Sequence, residues 1–216
     1  MKGKLVVALS MFLAGACSTT GGPRPNETIE VTQVGNAYRL SVPVSQLTMT
    51  LPKGSWFRKD KSALGGGTAN PRYFYFVDEK EESLILSGWF EPDRLYGGSA
   101  AKQWEKDLQG LKQTKLPEPA NVSFEKIGRW DTVLYDHVFA KAVSSHVRAH
   151  WVQAGTWIEI HLSTTTQRTS AENRKKLRAV LRGISVAEKG GACSSADCRA
   201  LRDVTPEVKV AELYVN

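Results

Sequence analysis

Residues 145–163 read Ser-His-Val-Arg-Ala-His-Trp-Val-Gln-Ala-Gly-Thr-Trp-Ile-Glu-Ile-His-Leu-Ser. Two runs that alternate apolar and polar side chains flank Ala154-Gly155, which predicts two strands joined by a two-residue turn. Pairing outward from that turn sets Val152 opposite Trp157, Trp151 opposite Ile158, His150 opposite Glu159, Ala149 opposite Ile160 and Arg148 opposite His161. Side chains alternate between the faces of a strand. The hairpin therefore has a core face of Val147, Ala149, Trp151, Ile158, Ile160 and Leu162. Its other face carries His146, Arg148, His150, Trp157, Glu159 and His161.

Downstream, Thr169-Ser-Ala-Glu172 matches a capping box, and Leu177, Val180, Leu181 and Ile184 recur at helical spacing behind it. Upstream, residues 122–127 and 132–143 read as two further strands. Before them, Ser99 can cap a helix that buries Ala101, Trp104, Leu108 and Leu111 and stops ahead of Pro117. Residues 72–78 and 83–90 form an expected hairpin, the first strand apolar on both faces and central. Three short half-buried strands are expected around Ile29 and Val31, Tyr38 to Val42, and Leu47 to Leu51. Residues 53–71, with Gly65-Gly66-Gly67, and residues 91–98 read as loops. The order of elements predicts an α+β fold, a mostly antiparallel sheet with two helices packed on it.

The stretches Tyr38-Arg-Leu-Ser-Val-Pro-Val-Ser45, Leu51-Pro-Lys-Gly-Ser-Trp56 and Thr156-Trp-Ile-Glu-Ile-His-Leu-Ser163, the last followed by a helix, resemble PsbP-like and DcrB-like domains. The resemblance covers about residues 37–186. It implies a small sandwich with binding and assembly roles more than catalysis, and it supplies no catalytic residues.

The chain opens with Met-Lys-Gly-Lys, an apolar run from Leu5 to Ala14 and small residues up to Cys17, the order of a secretory signal. The run is too short to span a bilayer, which takes ~20 residues. Leu13-Ala14-Gly15-Ala16-Cys17 resembles the lipobox of bacterial lipoproteins, with Ala14 where a larger aliphatic residue is commoner. That resemblance implies cleavage before Cys17, lipid on its thiol and acylation of the new amino terminus. Ser18, rather than Asp, implies transport to the outer membrane. The expected organisation is a signal peptide at 1–16, a polar tether at 17–28, one domain at 29–186 and a tail at 187–216. The tail carries Cys193 and Cys198, read as a local disulfide in an oxidising compartment, with a pair of exposed thiols as the alternative.

The 216 residues hold 29 Lys and Arg against 22 Asp and Glu, a net charge of +7. Loss of Lys2 and Lys4 with the leader lowers it to +5. This excess permits contact with anionic lipid or wall polymer. No nucleic-acid module is recognisable, and an exported protein rarely meets nucleic acid. Arg174, Arg178 and Arg182, at i, i+4 and i+8 of the last helix, offer an anionic-surface contact beside Lys175 and Lys176, or simply a solvated face.

The His146, His150, Glu159 and His161 face reads first as a solvated polar surface with cross-strand pairs. Its alternatives are a polar binding surface and a divalent metal site, since imidazole and carboxylate suit zinc or copper. Trp104 and Trp151 fit core positions, while Trp56 and Trp89 flank loops and can line a cleft. The chain has no Gly-x-Ser-x-Gly elbow, His-Glu-x-x-His or phosphate-binding glycine loop. Nothing places Asp131, Asp136 and His137 beside a nucleophile. No cofactor is expected. The leading expectation is a non-catalytic, lipid-anchored envelope protein that binds or helps assemble another envelope component, with loops 53–71 and 91–98 as contact sites. The alternative is a small-ligand or metal-binding lipoprotein using the His-rich face.

Overall fold

The computed structural model describes residues 28–59, 71–81 and 83–189. Cys17, Cys193 and Cys198, the leader, most of the tether and most of the tail lie outside the described residues.

Among the described residues eleven strands pair antiparallel, in two sheets. Strands β1 (Glu30–Val34), β2 (Ala37–Ser41) and β3 (Leu47–Thr50) form a meander. The larger sheet contains β4 (Trp56–Arg58), β5 (Tyr73–Asp78) and β6 (Ile85–Pro92). It continues with β7 (Ala120–Ile127), β8 (Trp130–Val138), β9 (Val143–Gln153) and β10 (Thr156–Thr166). Its order is β4-β5-β6-β10-β9-β8-β7, which places β10 at the centre and β5 one strand from the edge. Helix α1 (Ala100–Leu111) precedes β7, and α2 (Ser170–Arg182) follows β10. A short β11 (Ser185–Glu188) then joins the small sheet beside β3.

The β9–β10 hairpin has the register expected from its turn, with His150 opposite Glu159 and Arg148 opposite His161. Ala154 and Gly155 both have positive φ, 48° and 72°. That conformation matches the right-handed twist of the strands.

Alternation along the large sheet separates two cores. On one face Val147, Ala149, Ile158, Ile160, Phe74 and Phe90 pack against Leu40, Met49 and Val42 of the small sheet and against Leu177 and Leu181 of α2. On the other, Trp104, Leu108 and Leu111 of α1 pack on Val133 and Tyr135. The two helices thus lie on opposite faces of the sheet. Gly88 permits a close crossing at the centre: a Cβ there would meet the Glu159 carbonyl oxygen at 2.0 Å.

Several boundaries differ from the expectations, and β4 lies inside the stretch 53–71 expected as a loop. Residues 132–143 are not one strand, because β8 ends at Val138 and a turn closed by Phe139 N–H to the Ala142 carbonyl precedes β9. The first strand of the 72–90 hairpin is interior, paired on both sides, but not at the centre, because only the short β4 lies outside it. The domain also runs past residue 186: Val186 of β11 is buried, and Lys189 Nζ donates to the Val42 carbonyl at 2.6 Å.

Candidate functional site

The polar face of the hairpin is not solvated. Helix α1 is capped by Ser99, whose hydroxyl accepts from the Lys102 N–H, and it is anchored by Trp104, whose ring lies 4.6 Å from that of Tyr135. It therefore covers this face, and His150 and Glu159 are each only 2% exposed. The sequence shows the alternation but not the cover, since α1 lies some forty residues upstream and reaches the sheet only through the tertiary fold.

Burial makes charge pairing decisive here. Arg148 Nη1 donates to Glu159 Oε1 at 2.8 Å, and Arg148 Nε lies 3.3 Å from Asp107 Oδ2 on α1. The second contact is an ion pair without hydrogen-bond alignment, so Asp107 Oδ2 stays buried without a hydrogen bond. Burial pushes Glu159 up to about 7, with the Arg148 charge opposing and the Asp107 charge adding to the rise. Burial also raises Asp107 above the usual carboxylate range against the pull of Arg148 and Lys106. Burial opposes the charge on Arg148, but Asp107, Tyr135 and Glu159 outweigh it and hold the guanidinium firmly protonated.

The histidines do not converge on one point. His146 Nδ1 and His161 Nε2 hydrogen-bond directly at 3.0 Å, and His146 Nε2 meets the Ser144 hydroxyl at 2.9 Å. Tyr135 stacks on His146 with ring centroids 4.7 Å apart. His150 stands apart, accepting at Nδ1 from the Trp157 indole N–H at 3.3 Å, so its proton sits on Nε2. His137 donates from Nδ1 to the Pro117 carbonyl at 2.6 Å, because a carbonyl can only accept. Burial first, then neighbouring positive charge, lowers His146 to about 3 and His150 to about 4, and drives His161 well below its ordinary value. All three are neutral at physiological pH. Among the described residues no group of three or more His, Cys, Asp and Glu is placed to hold a metal ion. Glu159 is committed to Arg148 rather than to the His146–His161 pair.

Beside this buried cluster, between α1 and strands β5, β6 and β10, opens a cleft of about 380 Å³. Tyr73, Trp89, Trp157 and Leu95 give it apolar walls, and Glu91, Gln103, Asp107 and Glu159 give it polar ones. The pleat explains the grouping: Tyr73 pairs with Trp89, Trp89 with Glu159, and Glu91 with Trp157, so all share the α1 face. Gln103 and Asp107 are one helical turn apart and point to the same side. Arg72 Nη1 holds Glu91 at 3.0 Å. The loop 91–98 forms the rim, with Leu95 exposed and Tyr96 packed on His150 and Trp157.

Of the tryptophans flanking loops, Trp89 lines the cleft, while Trp56 is buried and donates to the Pro52 carbonyl. Tyr96 belongs to the loop 91–98 expected as a contact site, whereas no sequence pattern marks Tyr73, Gln103 and Asp107. The i, i+4 spacing of Gln103 and Asp107 was visible, but nothing local says which partner that helix side meets.

The arginine stripe of α2 is not a free cationic face. Arg174 is buried and binds Asp136 at 2.7 Å and the Asn121 carbonyl at 2.6 Å. Arg178 pairs with Glu125 at 2.6 Å, and Lys176 pairs with Glu81. Arg182 is exposed. Asp136 comes to α2 from β8, Glu125 from the edge strand β7 and Glu81 from the turn between β5 and β6. Asp136 is buried, which opposes ionisation, yet donors from Ser170, Arg174 and Asn121 hold it below the usual carboxylate range.

No family model matches this chain, and no curated protein matches it. Among solved structures, a crystal structure of a protein from Bacteroides thetaiotaomicron VPI-5482 is similar at 16% identity, over 68% of this chain and 47% of that one, with a TM-score of 0.38. The chain thus spans about half the length of that protein.

Proposed function

We propose that the chain is the precursor of a lipid-anchored envelope protein, held at the outer membrane through Cys17, whose domain is a non-catalytic binding module for another envelope component. We further assign it to the PsbP-like and DcrB-like sandwiches. The two helices on a mostly antiparallel sheet support that assignment, together with the sequence patterns that open and close the domain.

The observation that carries the binding role is the cleft. It combines apolar aromatic walls with a few polar groups at the mouth of an otherwise packed face, the usual composition of a recognition site. Its carboxylates Asp107 and Glu159 share one guanidinium, and Glu91 is held by another, which fixes these polar groups in place for recognition.

In-cell photocrosslinking tests the proposal. A benzophenone side chain at Leu95, on the rim, should give one discrete adduct, and the same group at Val34 on the small sheet should give none. No adduct at Leu95, or the same ladder from both positions, would overturn it.

A further inference from the structure

We propose that the cleft between α1 and strands β5, β6 and β10 binds a primary alkylammonium group, seated on Trp89 and Tyr73 and donating to Gln103, Asp107 and Glu159. This rests on the binding role proposed above and names the chemistry of its target.

The cleft lacks donors on one side. Gln103 Oε1 and Asp107 Oδ2 are buried without a hydrogen bond among the described residues. Both project from one side of α1. Opposite them, Glu159 is nine-tenths buried and more, and its Oε1 accepts from Arg148. Buried acceptors are normally satisfied, so the two orphaned oxygens of Gln103 and Asp107 facing one opening, with the Glu159 carboxylate beside them, indicate a ligand that brings donors. A primary ammonium has three N–H donors and no acceptor.

Charge points the same way. Three carboxylates, Glu91, Asp107 and Glu159, line the cleft, while the cations that act on them, Arg72, Arg148 and Lys106, are not among its described lining residues. A neutral polyol would satisfy the acceptors without meeting those carboxylates as a cation does. The walls suit an alkyl stem and a cation together: the Tyr73 and Trp89 rings are 6.0 Å apart and tilted by 34°, and aromatic faces attract cations within about 6 Å. The Trp157 indole N–H is already committed to His150, so that ring offers only apolar surface.

A bound cation favours ionised Glu159, which faces Arg148 of β9, Asp107 of α1 and Glu91 of β6. Binding should therefore release a proton and tighten as pH rises through about 7.

The test uses the purified full chain in neutral detergent, followed by tryptophan fluorescence and titration calorimetry. The probes are butylammonium, tetramethylammonium, 1-butanol and N-acetyl-lysine methylamide. Butylammonium should saturate at one site, tetramethylammonium should bind at least ~tenfold more weakly because it lacks donors, and 1-butanol should give no saturation. Gln103→Leu and Trp89→Ala, each checked for native circular dichroism, should weaken butylammonium by roughly tenfold or more. A lysine amide that binds more tightly than butylammonium identifies a partner's lysine as the source, and one that binds no more tightly identifies a free amine. Saturation by 1-butanol equal to butylammonium, or butylammonium binding unchanged in both folded variants, overturns the inference. The two proposals fail separately. A Leu95 adduct that butylammonium does not diminish sinks the ammonium site alone, and saturable butylammonium binding without any adduct sinks the partner role alone.

Discussion

Arg148 stands between Asp107 and Glu159, 2.8 Å from the Glu159 carboxylate and 3.3 Å from that of Asp107. One guanidinium from the central hairpin thus fastens α1 to the face it covers.

Replacing Arg148 by Met strands two buried carboxylates, and breaking a buried pair from one side costs about 3–5 kcal/mol. Glu159→Gln is a gentler change. The Gln carbonyl can still accept from Arg148, and Asp107 keeps the whole guanidinium, so a loss of ~1 kcal/mol or less is expected near neutral pH. Urea unfolding of both variants checks the ordering. A Glu159→Gln chain as unstable as Arg148→Met would show that the pair itself, not the uncompensated charge, dominates.

Stability should fall on mild acidification. His146, His150 and His161 have folded values below the ordinary 6.5, so below about 6.5 the unfolded chain binds protons that the folded chain refuses. Each contributes a loss of roughly 1 kcal/mol per pH unit down toward its folded value. Glu159 acts oppositely: its folded value is raised from 4.5 to about 7, so its contribution is full below 4.5 and fades as pH rises through about 7. Asp107, raised by burial as well, acts in the same direction as Glu159, but the three histidines outweigh the two carboxylates, and the melting temperature should be lower at pH ~5.5 than at pH ~7.5. A flat or rising profile toward acid would mean that the histidines are not buried neutral.

Gly88 and Gly110 should respond to alanine with opposite signs. A Cβ at Gly88 would collide with the backbone carbonyl of Glu159 at 2.0 Å and with the Phe74 ring at 2.8 Å, so β6 and β10 would have to part. A loss of ~3 kcal/mol or more is expected, at the upper end of overpacking effects. Gly110 in α1 has nothing within 4 Å, and alanine there should stabilise by ~0.5–1 kcal/mol. Thermal melts of the two single variants decide it.

The register of the central hairpin and both helix caps were legible because each is set locally. Ala154-Gly155 fixes the β9–β10 pairing, and Thr169 with Glu172 forms the full capping box. What escaped was whatever depends on distant segments meeting. His150 and Glu159 look like surface residues until Tyr96 packs over the one and α1 comes beside the other, and Arg174 looks solvated until Asp136 arrives from β8. The cleft was half visible: Trp89 was marked by its place next to a loop, but Asp107 acquires meaning only from Arg148, which the fold brings over from β9.

Replacing Cys17 by Ala should release the protein from the membrane fraction if the proposed lipid is its anchor. Among the described residues no helix is long and apolar enough to cross a membrane, and the α2 arginines Arg174 and Arg178 are occupied within the domain. Of the α2 arginines, that leaves Arg182 exposed to solvent. Persistent fractionation with membranes after this substitution would require a second hold, and washing with ~1 M salt would tell an electrostatic hold from an apolar one.

The final strand should prove part of the domain rather than of a tail. Ile184 and Val186 are each 5% exposed, and burying an aliphatic side chain contributes ~1.5–3 kcal/mol. Val186 pairs with Met49, Glu188 accepts from Gln153 Nε2 at 2.7 Å, and Lys189 reaches the Val42 carbonyl. A chain ending after Lys189 keeps all of these contacts, whereas one ending after Gly183 loses them and exposes the free edge of β3, a template for aggregation. The shorter chain is expected to be less stable by about 3–5 kcal/mol and to aggregate on warming. Equal melting temperatures for the two would show that β3 needs no partner and that the small sheet is complete with three strands.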